Sequence, residues 1–326
     1  MIVKHVGAIG EVARPGNSAL SITVIVLTFN EEIHIERCLS RIKPLVQRVI
    51  VLDSYSTDRT VELAKACGAE VVQRPFRNQA EQFQWALDTC GIDTGWVLRL
   101  DADEYLEPAA LAEISMRLTA LPPDITGVDF KRKFYFMGRW IRWGGYYPII
   151  LTRLWRMGAA RIEQRWMDEH VVLMRGRSTM FDKGDLVDEN LAGVDAWMAK
   201  HNRYATRQMV DFINREYYLF DIDESGEGLG AQSRMKRLLR NRIFGSAPLY
   251  LRSICYFIYR YFLRMGFLDG RQGFVFHSLH AYCYFLLIDA KIDEARRFIA
   301  ENGFETFRAH LARHHRIDLA TERRRG

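Results

Sequence analysis

The chain has 326 residues, 48% of them hydrophobic and 26% charged, and its 46 lysines and arginines against 40 carboxylates leave a formal net charge of +6. That length suits about two domains and that composition a packed core, which excludes an intrinsically disordered chain. The positive excess gathers after about Ala231 and points to an anionic partner, but no zinc-finger spacing, RNP-like aromatic motif or recognition-helix pattern makes that partner a nucleic acid.

Residues 1–20 mix Gly, Pro and polar side chains without a period and read as an N-terminal arm. They hold no basic segment followed by an apolar run and a small-residue cleavage site, so no secretory signal is expected. Cys38, Cys67, Cys90, Cys255 and Cys283 are odd in number and lack close pairs or metal-ligand spacing. They read as buried free thiols in a reducing compartment, and a cytoplasmic location is the expectation.

The fold begins at Ser21. Ile22, Val24, Ile25, Val26 and Leu27 form a β-branched run typical of a buried strand. Helical spacing follows over Ile33–Ile42, with Asn30 placed to cap it. A second strand over Arg48–Leu52 ends at Asp53, and a helix over Thr60–Cys67 stops at Gly68. A strand at Glu70–Val72, a helix over Ala80–Leu87 and a strand over Trp96–Leu100 ending at Asp101 complete the series. Such alternation predicts an α/β domain with a mostly parallel, Rossmann-like sheet and a ligand site beyond the carboxyl ends of its strands. Thr28, Asn30, Asp53 and Asp101 fall at that edge. Strands and loops rich in Trp, Tyr, Gly and Arg are expected from Gly127 to Val172, then a helix over Ala196–Phe220 and a linker at 223–230. The chain thus divides into an α/β domain over 21–225 and a basic, aromatic helical region over 226–326.

Within that last region Leu249–Ile288 is dense in Tyr, Phe, Leu and Ile but interrupted by Arg252, Arg260 and Arg264, which makes a poor membrane span. Amphipathic helices lying in a membrane interface, arginines toward lipid phosphates, fit the pattern. Packing on the α/β domain or on a second subunit of a homo-oligomer is the competing account.

Asp101-Ala102-Asp103 after an apolar strand places two carboxylates on one side of a strand end, because alternate residues share a face. Such a pair suits a hard divalent cation that completes its shell with phosphate oxygens. A solvated acidic turn would read the same way in isolation. The wider run from Ser21 to Glu107 resembles the family 2 glycosyltransferases of the GT-A fold, through Val26-Leu27-Thr28-Phe29-Asn30-Glu31-Glu32, Val49 to Thr60, and Trp96 to Glu104. Its Gln-rich segment Asn78–Leu87 is similar to that of the lipopolysaccharide core β-glucosyltransferases and related surface-polysaccharide enzymes.

That resemblance implies a GT-A catalytic domain using a nucleotide-sugar donor, by default a UDP-hexose, with Mn2+ or Mg2+. It implies that Thr28, Asn30 and Glu31 lie under the nucleoside, that Asp53 and Gln82 face the nucleotide, and that Asp101 contacts ribose or a metal-bound water while Asp103 ligates the metal. Helix capping by Thr28 and Asn30, and an Asx-turn at Asp53, remain open. An inverting transfer needs a base for the acceptor hydroxyl, which the family carries in an acidic pair like Asp168-Glu169; Glu169 is preferred over Asp168, and pairing of both with nearby arginines is the alternative. Arg156 is the candidate cation for the leaving diphosphate. His170 is a candidate metal ligand or a structural residue, and His201 or Arg203 a phosphate contact or a solvated helix face.

The expected activity is transfer of a sugar to a hydroxyl of a lipopolysaccharide, surface-polysaccharide or lipid-linked acceptor, at the inner face of the cytoplasmic membrane. A non-catalytic scaffold of a membrane polysaccharide-assembly complex is a second reading. A sugar nucleotidyltransferase would show a Gly-rich basic loop where Thr28-Phe29-Asn30-Glu31 stands, and a dinucleotide oxidoreductase a Gly-x-Gly-x-x-Gly after a strand; neither is present.

Overall fold

The computed structural model describes residues 19–163, 169–217, 247–315 and 317, and its first strand shows why the sheet is packed on both faces. Along β1 (Leu20–Thr28) successive side chains point to opposite sides. Ile22, Val24 and Val26 enter one apolar cluster and Ile25 enters another. The first cluster takes Leu39 from α1 (Ile35–Ile42), Ala64 from α2 (Thr60–Ala66) and Ile114 from α4 (Pro108–Arg117). The second takes Ala80, Phe83 and Ala86 from α3 (Gln79–Thr89), residues at helical spacing. Burial on both faces gives the strands their unbroken apolar runs.

β2 (Val46–Asp53) and β4 (Trp96–Asp101) flank β1 in parallel, and β3 (Glu70–Gln73) adds to β2 in the same direction. Beyond β4 the sheet becomes mixed, as a GT-A sheet. β8 (Ile149–Arg156) runs antiparallel to both β4 and β6 (Ile125–Phe136), β12 (Leu186–Glu189) runs parallel to β6, and β5 (Glu104–Leu106) closes that edge antiparallel to β12. β7 (Arg139–Trp140) and β11 (Arg177–Met180) also pair with β6, while β9 (Ala160–Ile162) and β10 (Val171–Leu173) pair with each other.

α5 (Gly193–Tyr217) leaves the sheet and packs against the C-terminal helices. Those are α6 (Leu251–Ile258), which continues as the π-helix Tyr259–Leu263, then α7 (Gly270–His277), which passes through the π-helical Ser278–Cys283 into α8 (Tyr284–Asn302), and α9 (Phe304–His315). Ala205, Met209, Val210 and Ile213 of α5 share one buried cluster with Ile288, Ile292 and Ile299 of α8 and Leu311 of α9. The N-terminal arm to residue 18, the linker expected at 223–230 and the division near residue 225 lie outside the described residues. Among the described residues no helix is long and apolar enough to cross a membrane. All five cysteines are free, but only Cys38 is buried, and Cys255 is exposed on α6, against the expectation of buried thiols.

Candidate active site

Strand register brings the polar strand ends together. Thr28 pairs with Asp53 across β1 and β2, and Leu27 with Asp101 across β1 and β4. Beyond these ends lies a cavity of about 2530 Å³. Thr28, Asn30 and Glu31 line it from the first strand, Asp101 and Asp103 from the fourth, and Glu169 and His170 from the loop before β10. Asp168 lies outside the described residues.

Asp53 and Gln82 are fully buried and do not line the cavity. The Asp53 carboxylate accepts hydrogen bonds from Thr28 Oγ1 at 2.9 Å, Gln73 Nε2 at 2.9 Å, and the amide and hydroxyl of Ser56 at 2.9 and 2.5 Å. Four donors from its own chain make it the anchor of the loop after β2. Gln82 Oε1 accepts from Arg74 Nη1 at 3.0 Å, and one helical turn earlier Gln79 is the residue that reaches the cavity. Asn30 adopts the left-handed conformation at φ 56°, and its Oδ1 accepts the Thr57 amide at 2.8 Å. It therefore ties two loops together and does not cap α1, which starts after His34 without a side-chain cap. Glu31 accepts from His34 Nδ1 at 2.6 Å, and His34 Nε2 accepts the Leu191 amide at 2.8 Å, which fixes the proton on Nδ1.

Asp101 and Asp103 both reach the cavity but have no side-chain partner in common. Strand alternation stops at Asp101, whose amide donates to Glu104 Oε2 at 3.0 Å as the chain turns into β5. Asp101 faces Gln79 Nε2 at 3.3 Å, Arg153 Nη2 at 3.5 Å and Arg99 Nη2 at 3.8 Å. Asp103 accepts from Asn190 Nδ2 at 3.1 Å and sits 3.5 Å from Lys200 Nζ. Burial alone would raise its pKa, but the Lys200 charge and the Asn190 amide hold it below the usual carboxylate range. Asp103 in turn raises Lys200 well above the ordinary lysine value. Lys200 belongs to the segment singled out in the sequence for His201 and Arg203. The signal that separates them is helical spacing, since His201 lies one turn from Trp197 and stacks on it at 3.4 Å between ring centroids. His201 is thus an aromatic-face residue, whereas Arg203 is exposed at the cavity.

Glu169 accepts from Arg99 Nη2 at 2.7 Å, so one buried guanidinium links it to the Asp101 side of the site. Arg156 is not part of this group. β8 runs antiparallel to β4 with Arg156 opposite Trp96, at the start of the strand, and Arg156 donates there to main-chain oxygens of Ile125 and Leu121. Three residues earlier, Arg153 reaches the far end, where its Nη2 lies 3.5 Å from Asp101. His170 turns its Nδ1 to Glu163 Oε2 at 3.3 Å. Among the described residues no three His, Cys, Asp or Glu side chains are grouped to hold a metal. The donor set does fit a divalent ion of the kind that takes one or two protein carboxylates and fills its shell with diphosphate oxygens and water: Asp103 offers a buried, ionised carboxylate and Asp101 a second one nearby.

On its far side the cavity is walled by Tyr146, Trp197, His201, His280 and Tyr284. Behind that wall His277 is fully buried, with no hydrogen-bond partner at either ring nitrogen among the described residues. Gly144, at φ 69°, permits this packing, because a Cβ there would fall 2.2 Å from the imidazole. Burial, reinforced by the Arg260 charge, pushes the His277 pKa from 6.5 down to about 4. Between those values the unfolded chain binds a proton that the folded chain does not, so stability is intact above pH 6.5 and falls as the pH drops toward 4. At about 1.4 kcal/mol per pH unit, His277 accounts for about 3 kcal/mol of that loss. His277→Leu is expected to flatten the dependence of Tm on pH across this window. An unchanged slope would assign the acid sensitivity to His201 and His280, whose values burial also lowers.

Three comparisons bear on this arrangement. The family described as Glycosyl transferase family 2 matches residues 23–186. A glycosyltransferase of Rickettsia typhi (strain ATCC VR-144 / Wilmington), itself uncharacterized, is 25% identical over 299 residues, covering 87% of this chain and 91% of its own. The lipopolysaccharide core biosynthesis glycosyltransferase LpsC of Rhizobium meliloti (strain 1021) is 27% identical over 197 residues, 57% of this chain and 70% of that one. Among solved structures, glucosyl-3-phosphoglycerate synthase from Mycobacterium tuberculosis, in complex with Mn2+, UDP and glucosyl-3-phosphoglycerate, is 28% identical across 38% of this chain. The match spans 51% of that structure's chain at a TM-score of 0.30, a likeness too low to argue from.

Proposed function

The chain belongs to glycosyl transferase family 2, and on that premise we propose that it is an inverting, divalent-metal-dependent transferase. Its donor would be a nucleotide-diphosphate sugar, by default a UDP-hexose, and its acceptor a hydroxyl of a lipopolysaccharide, surface-polysaccharide or lipid-linked saccharide at the inner face of the cytoplasmic membrane. The observation that supports this reading is Arg99, whose guanidinium lies 3.8 Å from Asp101 and 2.7 Å from Glu169 within one cavity and so holds the carboxylate proposed as base beside those proposed for the donor side.

In this reading Asp103, with Asp101 beside it, would hold Mn2+ or Mg2+. When bound, that ion supplies positive charge to the departing diphosphate. The chain's own residues do the rest. Lys200 and Arg153 border the same region and offer fixed positive charge that develops no reorganisation cost during transfer. Glu169 accepts the proton of the acceptor hydroxyl while its oxygen bonds to the anomeric carbon and the bond to the diphosphate breaks. Attack from the face opposite the leaving group inverts the anomeric centre.

Thermal unfolding with UDP, GDP or dTDP, each with and without Mn2+, tests the donor half. A nucleotide at about 100 times its Kd stabilises by about 2.7 kcal/mol, which raises Tm by several degrees. UDP with Mn2+ is expected to give the largest shift, and Asp103→Asn to remove the Mn2+-dependent part of it. The assignment fails if no nucleotide, with or without the ion, moves Tm.

A further inference from the structure

α6 and the π-helix that extends it are inside out. Leu251, Ile254, Ile258 and Phe262 recur at a spacing of three to four residues, which marks one helical stripe. Such a stripe ordinarily turns to the core, yet all four are exposed, as is Tyr259, while the buried positions of α6 are Arg252 and Ser253. The stripe runs on into Leu263, 72% exposed, and then Met265, Phe267, Leu268 and Phe274. A continuous array of large apolar side chains on one stretch of surface marks a docking face.

The charge around this face identifies what covers it. Residues 247–283 contain one carboxylate, Asp269, and it is buried, accepting the amides of Arg142 and Trp143 at 3.2 and 2.8 Å. Those two bonds fix the loop after β7 against the 3-10 turn Gly266–Asp269, and the Gly144 amide donates to the Arg264 carbonyl oxygen at 2.9 Å. β7 and this loop thereby add exposed Arg139 and Arg142 beside exposed Arg264 and Arg271, and among the described residues none of these four pairs with a carboxylate. A rim of unpaired arginines around exposed aliphatic and aromatic side chains matches an interface with anionic lipid, where apolar groups enter the acyl boundary and guanidiniums meet phosphates.

We propose that residues 250–274, with the loop over 139–145, form a docking surface for an anionic lipid bilayer. The proposal deepens the transferase reading by naming the surface on which a lipid-carried acceptor would arrive. Leu251, Cys255, Tyr259, Arg260 and Arg264 belong to this segment and also line the active-site cavity. An acceptor hydroxyl can therefore pass from the headgroup region toward Glu169 along one continuous wall.

The test is co-sedimentation of the full chain with vesicles, without donor or acceptor, so that its outcome is independent of whether transfer occurs. Binding to vesicles of phosphatidylethanolamine and phosphatidylglycerol is expected to exceed binding to phosphatidylcholine vesicles by about tenfold or more at low salt, and to weaken as salt rises. Leu263→Glu with Phe267→Glu should abolish it with an unchanged circular-dichroism spectrum, both side chains being exposed in the parent. Arg264→Gln with Arg271→Gln should remove the preference for anionic lipid while leaving residual apolar binding. Equal binding to both vesicle types, no binding, or unaltered binding by the Glu variant overturns the proposal. So does a concentration-dependent dimer that the Glu variant dissociates, which would assign the face to a second copy of the chain.

Discussion

Glu169→Gln is expected to lower kcat by about 10²–10⁴-fold, the usual contribution of a positioned base, or about 3–5 kcal/mol of barrier. Glutamine keeps the shape of the side chain, and its carbonyl oxygen can still accept from Arg99 Nη2, which bonds Glu169 at 2.7 Å. It cannot take the acceptor proton. Donor binding should therefore stay within a few-fold of the parent, because the substitution leaves Asp101, Asp103 and Lys200 in place. Steady-state kinetics with a saturating nucleotide-sugar, together with the Tm shift given by UDP and Mn2+, separates the two effects. If Glu169→Gln retains most of kcat, the proton acceptor is another cavity carboxylate, and Asp188 and Glu189 at the end of β12 are next in line. Arg99→Met tests positioning by contrast. With the guanidinium gone, kcat should fall while the pH profile changes form, an effect that simple loss of packing would not produce.

Asp289→Ala is expected to destabilise the helical region by about 3–5 kcal/mol, the cost of leaving a buried charge without its counterion. Asp289 of α8 is fully buried and accepts from Arg252 Nε at 2.6 Å and from the Tyr250 amide at 2.7 Å. The Arg252 guanidinium also lies 4.7 Å from the centre of the Phe212 ring on α5. One ion pair thus fastens the start of α6 to two other helices. Replacing both partners, Asp289→Leu with Arg252→Met, should recover most of the loss, since an apolar pair of similar volume carries no desolvation penalty. Chemical unfolding followed by circular dichroism measures both variants. A loss under about 1 kcal/mol for Asp289→Ala would mean that water reaches the pair and that the anchor is elsewhere.

The stretch from Leu20 to Asp101 was readable because β1, β2 and β4 are buried on both sides and each ends in a polar residue. Apolar runs such as Ile22 to Leu27 left few alternatives, and parallel register then carried Thr28, Asp53 and Asp101 to one edge. What local pattern does not encode is the direction of a side chain once the strand has ended. Asp53 was correctly placed at the edge but its carboxylate turns inward to four donors of its own chain, and Asp101 and Asp103 part company because the turn into β5 breaks the alternation. The cations were harder to assign. Arg153 and Arg156 stand three residues apart on β8, and only its antiparallel pairing with β4 shows which of them reaches the carboxylates. Asn190 meets Asp103 from 87 positions away in sequence and Lys200 from still farther, contacts fixed by how the chain leaves β12 and enters α5. The aromatic C-terminal region announced its composition plainly, yet its helical spacing would ordinarily mean an inward face. Burial, not spacing, reveals that α6 carries its stripe outward.

α5 delivers Lys200 to the strand ends with one face and joins the cluster around Ile288 and Leu311 with another, and residues from 251 onward wall the cavity. A ribosome releases the parallel half of the sheet well before it releases those later helices. The nascent protein can therefore bury most of its parallel sheet early, but its pocket is not finished until the helices that bear His280 and Tyr284 have emerged, and a stop before Leu251 would leave the cleft unwalled on that side.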